Sequence, residues 1–428
     1  MIIRKVSLLF VFVGVMSLAS AQTEIPYSRF GIGILQDPEP AWMKGWGSLS
    51  AAFHNQYNIN YMNPASYGYL NYTVFEAGMF GTYLHVKSNE GQSASFTDAG
   101  LSTFVFAFPV MKNKLGISFG LTPFSRVDYN IISNNDSVPG LGASTNNFNG
   151  NGGLYKFHLG AGYRWKGLSF GINAAYLFGK LDYSTILVFD NSLNAFNTLR
   201  DESRVFGDFV FTGGIQYRFT FGKDKDYFLD LGLDGDLKTN VAATRDLMYV
   251  RFTYYDANGF LQTSPQPKDT ITNVHEKGEV VFPPRISGGI TFSKQSHYMI
   301  GVDYDYAKWS EYSSFGEKDF TTNSWSIGSG FQYIPEASAY TEYYKVIAYR
   351  VGFSMGQNYL KFNDQNLLQY KASIGAGFPV KKVLSEVSFS AEWLKLGNLN
   401  SDPLAITNFR FTLGVTLNDR WFLKRKFD

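Results

Sequence analysis

Residues 409–418 read Phe-Arg-Phe-Thr-Leu-Gly-Val-Thr-Leu-Asn. Phe409, Phe411, Leu413, Val415 and Leu417 hold one phase, and Arg410, Thr412, Gly414, Thr416 and Asn418 hold the other. An apolar period of two without exception is a β-strand with one greasy face, because successive side chains of a strand point to opposite sides. The pattern returns at Tyr298, Ile300, Val302, Tyr304 and Tyr306 against Met299, Gly301, Asp303 and Asp305. It returns again at Leu168, Phe170, Ile172, Ala174 and Tyr176 against Ser169, Gly171 and Asn173. In a soluble sandwich the apolar phase would meet a core. Here the opposite phase is largely Gly, Ser, Thr and Asn, and the strands end in Tyr, Trp and Phe. That combination predicts lipid outside, a packed or watery lumen inside, and aromatic girdles at two interfaces. A soluble barrel around a large cavity would have to bury far more aromatic surface.

Carried along the chain, the pattern gives about fourteen strands, the even number expected of a single-chain barrel. They fall near 71–88, 100–111, 114–129, 154–165, 167–186, 203–221, 226–253, 274–293, 296–312, 319–334, 345–361, 367–379, 385–397 and 405–420. Short connections follow even strands, at Lys112–Asn113, Lys166–Gly167, Gly222–Lys225 and Lys294–Gln295. Long polar ones follow odd strands, at Ile131–Gly153 and Tyr254–Asn273. Short periplasmic and long extracellular connections alternate in this way in outer-membrane barrels, which places both termini in the periplasm. The expected fold is all-β: a transmembrane antiparallel β-barrel.

Composition agrees. The chain of 428 residues holds Tyr 28, Phe 39, Trp 7 and Gly 42, with only 17% charged residues. The net charge is +2, with Arg4 and Lys5 in the leader, so no bulk field points to nucleic acid or acidic substrates. Cys is 0, which excludes disulfides, Fe–S clusters and thiol catalysis. Met1–Ala21 reads as a secretory signal peptide: a basic start, an apolar core from Val6 to Leu18, and Ala19-Ser20-Ala21 as the cleavage pattern. No later run of apolar residues is long enough for a spanning helix.

Residues 22–70 do not join the meander. Tyr57–Tyr69 (YNINYMNPASYGY) sets an Asn63-Pro64-Ala65 turn among aromatics. Pro64 has no amide hydrogen and pushes Asn63 out of the helical region, so neither a helix nor a ladder strand is expected to run through it. One reading makes 22–70 a plug inside a barrel of 71–428; the other makes it an exposed leader.

No chemistry-bearing motif survives inspection. Gly116-Ile-Ser118-Phe-Gly120 and Gly167-Leu-Ser169-Phe-Gly171 match the serine-hydrolase elbow in letters. The elbow needs a strand-to-helix turn, and both matches lie within alternating strands. His54, His85, His158, His275 and His297 have no metal-ligand spacing, and Gly328-Ser-Gly330 and Gly375-Ala-Gly377 have no following helix. Asp303 and Asp305 share an inward phase that requires no catalysis. The expectation is a protein that is not an enzyme and needs no metal or cofactor. One irregularity stands out: Thr122-Pro123-Phe124 interrupts the third strand. Proline removes a ladder hydrogen bond, so Pro123 predicts either a tolerated bulge or a local gap in the wall. Pro283-Pro284 makes a second break in strand eight.

With these features together, the chain resembles the FadL-like family of long-chain fatty-acid transporters of the outer membrane. The likeness rests on Asn63-Pro64-Ala65, Thr122-Pro123-Phe124, Phe282-Pro283-Pro284-Arg285 leading to Gly289-Ile290-Thr291-Phe292, and Gly301-Val302-Asp303-Tyr304 with Trp309. Tyr349-Arg350-Val351-Gly352 and the run from Leu413 to Phe422 complete it. The resemblance implies a fourteen-stranded monomer in a Gram-negative-type outer membrane, closed by a hatch that includes Asn63, Pro64 and Ala65. It implies passive uptake of a fatty acid or hydrocarbon, stabilised by about 0.8 kcal/mol per buried CH₂ in a dry lumenal pocket. The ligand would leave sideways into outer-membrane lipid at Gly120, Thr122, Pro123 and Phe124, with Phe124 lining the path and Arg126 offering a lumenal charge. Some relatives instead serve protein secretion as membrane partners, which is the alternative function. The chain departs from the family at Asn134–Gly153, which is polar and glycine-rich where relatives carry apolar helices, and at Phe427-Asp428, where the terminal aromatic is displaced by one.

Overall fold

The computed structural model describes residues 25–138, 142–189, 196–255, 261–295, 297–338, 342–362, 365–380, 384–399 and 402–421. The leader and Phe427-Asp428 lie outside these. Fourteen antiparallel strands make the wall: β1 Thr73–Ser88, β2 Ser93–Met111, β3 Leu115–Val138, β4 Gly142–Trp165, β5 Leu168–Phe189 and β6 Asn197–Phe221. The next are β7, in two segments Tyr227–Asp236 and Thr239–Tyr255, and β8, in two segments Leu261–Phe282 and Arg285–Lys294. Then come β9 Tyr298–Ala307, β10 Ser324–Tyr333, β11 Ala348–Phe362, β12 Gln365–Pro379, β13 Glu386–Leu396 and β14 Leu404–Asp419. Sequence neighbours pair, and β14 closes on β1 from Leu404–Ser88 down to Asp419–Thr73. Closure satisfies the backbone between strands, as a chain crossing hydrocarbon must.

Burial runs opposite to that of a soluble protein. On β14, Phe409, Phe411, Leu413 and Leu417 are 42–50% exposed, while Thr412 and Thr416 are at most 2% exposed. The apolar phase is the lipid face and the small polar phase is the lumen, so this is a transmembrane barrel of the outer-membrane type. At the short-turn end Phe221, Tyr227, Phe292 and Tyr298 form a row with ring centroids 6.0–6.1 Å apart, one sector of an aromatic girdle.

The prolines act as their chemistry requires. β8 breaks at Pro283-Pro284, opposite the break of β7 at Leu237-Lys238. The ladder runs up to Arg285–Asp236 on one side and resumes at Phe282–Thr239 on the other.

Two expectations need correction. The long polar connections Ile131–Gly153 and Tyr254–Asn273 are mostly strand. β3 continues to Val138 and β4 begins at Gly142; β7 continues to Tyr255 and β8 begins at Leu261. Asn, Ser and Gly give these stretches no apolar phase, so periodicity misses them; the antiparallel ladder satisfies their backbone regardless. β3 and β4 have 24 residues each, whereas β9 and β10 have 10 each. A span needs about 9–11 residues. β3 and β4 are therefore longer than β9 and β10 by about 45 Å measured along the strands, and longer than β2, with 19 residues, by about 17 Å.

A closed barrel of this kind retains its ladder in SDS until heated. The unboiled protein is expected to migrate faster than the boiled one, with a β-type circular-dichroism spectrum; a single mobility or a helical spectrum would contradict the fold.

Candidate functional site

The lumen is filled by the segment before β1. It begins with a 3-10 turn, Pro26–Arg29, and a two-residue strand, Ile34–Leu35. The one-turn helix Ala41–Lys44 and a second 3-10 helix, Pro64–Tyr69, follow. Pro64 thus begins a helix where the sequence reading excluded one passing through. The residue before it, Asn63, is extended, and its Oδ1 accepts the Ala65 amide at 3.1 Å as the N-cap. Proline suits the first helical position because the amide it lacks would have had no partner there. Asn63, Pro64 and Ala65 are all buried.

Apolar side chains give this plug a core of its own. Trp42, Met43, Trp46, Leu49 and Phe53 form one cluster; Ile59, Tyr61, Tyr67 and Leu70 form another against Val74, Val105 and Ala107 of the wall. Polar groups on the wall then take up the plug's backbone. The Asp303 carboxylate accepts from the Ser50 and Ala51 amides at 2.6 and 2.8 Å. Gln216 donates to the Ala51 carbonyl at 2.9 Å, and Asn173 donates to Tyr61 O at 2.9 Å and accepts from the Tyr67 hydroxyl at 3.0 Å. Lys44, fully buried, pairs with Glu39 at 3.2 Å and lies 3.9 Å from Glu392. Trp42 Nε1 donates to Glu76 at 2.5 Å. Burial, then the charges of Arg218 and Arg164, holds the His54 imidazole of the plug well below its ordinary pKa and neutral.

Strand after strand also presents a glycine to the plug. A Cβ on Gly116 would lie 2.1 Å from Tyr67 O, one on Gly162 2.3 Å from Pro64 O, and one on Gly214 2.0 Å from the Asn63 amide oxygen. On the far wall, a Cβ on Gly232 would lie 1.9 Å from Ala51 O, one on Gly330 1.9 Å from Trp46 O, and one on Gly352 2.1 Å from Gly47 N. These distances admit only hydrogen.

The wall loosens beside Pro123. The β2–β3 ladder runs from Met111–Leu115 to Phe104–Leu121 and stops there, while β3 stays paired with β4 through a register shift between Pro123 and Ser125. Above this point β3 pairs instead with the plug's N-terminal arm, Ile34 with Arg126 and Leu35 with Ser125. The arm adds Gln36 N to Phe124 O at 2.9 Å and Ile25 N to Asp128 O at 2.8 Å. Arg126 reaches Asp98 of β2 at 2.5 Å and Asp128 at 2.8 Å, bridging the seam. A cavity of about 340 Å³ opens behind it, lined by Ile34, Leu35, Phe80, Leu84, Trp309 and Arg126 among others. A larger one, about 720 Å³, lies at the short-turn end of the plug around Phe53 and His54.

Of the residues singled out from sequence, Gly120 lies in the closed ladder opposite Val105, Thr122 is buried, and Pro123 comes just past the ladder's end. Arg126 lines the cavity, already paired with two carboxylates. Phe124 packs on Phe282 at 5.7 Å and beneath Lys156 at 4.0 Å, outside the cavity lining. The 340 Å³ space is not purely apolar, since Asp37, Arg285 and Arg410 also face it. Sequence reasoning missed the plug anchors Asp303 and Gln216, the Ser118–His158 contact at 3.2 Å, and Arg285 among Asp234, Asp236 and Asp305 at 2.5–3.0 Å. All lie on the inward phase, which was the available signal.

Fold and lumen together define a plugged transmembrane β-barrel with a seam between its second and third strands. The chain belongs to the BamG family, whose model matches residues 1–428. Among solved structures it is similar to a Pseudomonas aeruginosa FadL homologue, at 12% identity and a TM-score of 0.57, covering 90% of this chain and 99% of that one. It is also similar to the Pseudomonas putida toluene transporter TodX, at 12% identity and a TM-score of 0.55, covering 89% and 99%. The monoaromatic hydrocarbon channel CymD gives 12% identity and a TM-score of 0.55, covering 89% and 97%. These likenesses establish a shared FadL-like fold. Comparison with the curated proteins returned no match.

The glycine contacts yield a direct test. Gly232→Ala forces a Cβ against the Ala51 carbonyl, and overpacking of this kind costs about 1–3 kcal/mol. The variant is expected to stay a heat-modifiable barrel while its plug becomes cleavable by protease. Gly213→Ala, where a Cβ would meet nothing within 4 Å, is expected to match the wild type. Equal protease resistance in both variants would refute tight seating.

Proposed function

We propose that the protein is a passive outer-membrane channel for hydrophobic small molecules, long-chain fatty acids or hydrocarbons, acting as a monomer after removal of residues 1–21. Residues 22–70 serve as the hatch, and the ligand leaves the lumen for the membrane at the seam beside Pro123. The observation that carries this reading is the end of the β2–β3 ladder at Phe104–Leu121, next to a partly apolar cavity. Proline lacks the donor needed to continue the ladder, and above it the plug's arm, not β2, covers β3. The names of the similar structures, a toluene transporter and a hydrocarbon channel, support the ligand class.

A second reading, a barrel that serves protein secretion as a membrane partner, has one observation in its favour. The body of the plug is seated on glycines all round the wall, which suits a barrel that stays shut. On that reading a partner protein co-purifies and deletion stops export, with hydrocarbon uptake unchanged.

Pro123→Val restores a ladder donor. It is expected to leave the barrel folded and to slow uptake of radiolabelled fatty acid or toluene by about tenfold, the equivalent of about 1.4 kcal/mol. Unchanged uptake with a closed seam would rule out the lateral route. A cysteine at Ala65, buried in the plug, is expected to resist bulky impermeant thiol reagents on intact cells; fast labelling would show that the segment does not block the lumen.

A further inference from the structure

Among the described residues three arginines line the 340 Å³ cavity, and two of them are already paired. Arg126 bridges Asp98 and Asp128 across the seam. Arg285 is ringed by Asp234, Asp236 and Asp305 at 2.5–3.0 Å. The third, Arg410 on the lumenal face of β14, stands differently. Its guanidinium lies 4.0 Å from the centroid of the Phe80 ring, and its Nε and Nη2 are buried without a hydrogen-bond partner. The carboxylate opposite it in register, Glu392 on β13, lies 3.8 Å from Lys371 and 3.9 Å from Lys44. Asp37, which also faces the cavity, pairs with Lys371 at 3.1 Å. These acids offset the charge of Arg410 at a distance but give its N–H groups no acceptor.

A guanidinium withdrawn from water is destabilising until its donors are met. Elsewhere in this lumen the acceptor is a carboxylate: Arg218 holds Asp230 through Nε and Nη2, both at 2.7 Å. Planar two-point contacts of this kind match arginine to a carboxylate. The surroundings of Arg410 indicate what else a ligand would carry. Along β14 towards Leu404, register places Leu84 and Leu394 on either side of Asn408, and Leu396 beside Ile406, all lining the same cavity. Leu84, Leu396 and Ile406 are buried. A cation without a hydrogen-bonded partner at the end of an aliphatic wall fits a long apolar chain that ends in an anion.

We infer that Arg410 is the head-group site of this cavity, and that it makes the protein select ionised carboxylate amphiphiles over neutral hydrocarbons. The inference rests on the channel reading above and narrows it. Of the two ligand classes named there, only the one with a carboxylate gives the guanidinium an acceptor. The head group meets Arg410 and not Arg126, whose guanidinium is already held by Asp98 and Asp128. Phe80 supports the guanidinium from one side, and the chain of the ligand lies along Leu84, Leu394 and Ile406. A hydrocarbon in the same place would bury the aliphatic wall equally well and leave the Arg410 donors unmet.

Binding of radiolabelled stearate, methyl stearate and octadecane to the mature protein in lipid nanodiscs tests this, with protein-free discs as the blank. The three share a chain length and differ in what ends it. Stearate is expected to bind about tenfold more tightly than its methyl ester, the equivalent of about 1.4 kcal/mol, with octadecane no tighter than the ester. Arg410→Met keeps an unbranched side chain and removes the charge. It is expected to bring stearate down to the level of the ester, to leave octadecane unchanged, and to remain a heat-modifiable barrel. Equal binding of the three ligands by the wild type overturns the inference without any variant and leaves the channel reading standing. Tight stearate binding that survives Arg410→Met does the same. Binding of none of the three by the wild type overturns the channel reading, and this inference with it.

Discussion

Backbone-to-backbone contact between the plug and the inner wall is the constraint on which the rest of this structure depends. It requires hydrogen as the side chain wherever the plug touches, so glycines recur on the lumenal phase of strand after strand, from Gly116 on β3 to Gly352 on β11. The same requirement explains why the lumenal phase reads as small and polar while the lipid phase is aromatic and aliphatic. Once the plug lies this close, its amides and carbonyls lose water and need partners. Asp303, Gln216 and Asn173 supply them from three different strands. An unmet buried amide costs about 1–3 kcal/mol, so close approach and these anchors work only together.

This dependence also separates what the sequence reveals from what it hides. Strands such as Phe409–Asn418 are legible because one face must satisfy lipid, and lipid accepts no polar exception. The upper halves of β3, β4, β7 and β8 are not, because water accepts Asn, Ser and Gly on both faces and erases the period of two. Pro123 is legible for a different reason: its missing donor is a property of the residue itself, and the ladder stops beside it. Asn63 and Pro64 announce a local structure but not its surroundings. The partners that fix them, Ala51, Leu233, Gly162 and Gly214, lie up to about 170 residues away in sequence. Phe124 illustrates the limit at the seam. Its position next to Pro123 suggests the ligand path, yet which lumenal groups it meets is set by distant strands. Thr122 and then Ser125 are buried, and Phe124 packs on Phe282 within the lumenal cluster that Ile34 and Leu35 also join.

Strength is divided unequally within the plug, and that division bears on how any lumenal route could work. The body, from Ala41 to Leu70, combines two apolar clusters, the buried Lys44 pairs and the glycine contacts. Moving it would expose Trp42, Trp46 and Tyr67 together, at about 1.5–3 kcal/mol for each large side chain, before any buried charge is counted. The arm from Ile25 to Gln36 is held on β3 by a short set of backbone bonds around Phe124–Asp128, each worth about 1 kcal/mol net. Tyr27 and Ile32 are buried in the upper core, with Ile25, Phe30, Ile34 and Leu35 packed on it, and the arm adds Tyr27 hydroxyl to Leu404 O at 2.8 Å, Gly31 N to Asp319 at 2.6 Å and Gly33 O to the Tyr359 hydroxyl at 2.6 Å. Displacing the arm would forfeit, besides these bonds, about 1.5–3 kcal/mol for each of the buried Tyr27 and Ile32, but it would break no buried lysine pair. It also uncovers two things at once, the unpaired side of β3 above Pro123 and the cavity that Ile34 and Leu35 line. On the proposed lateral route, the segment standing between the cavity and the seam is therefore the arm, not the glycine-seated body.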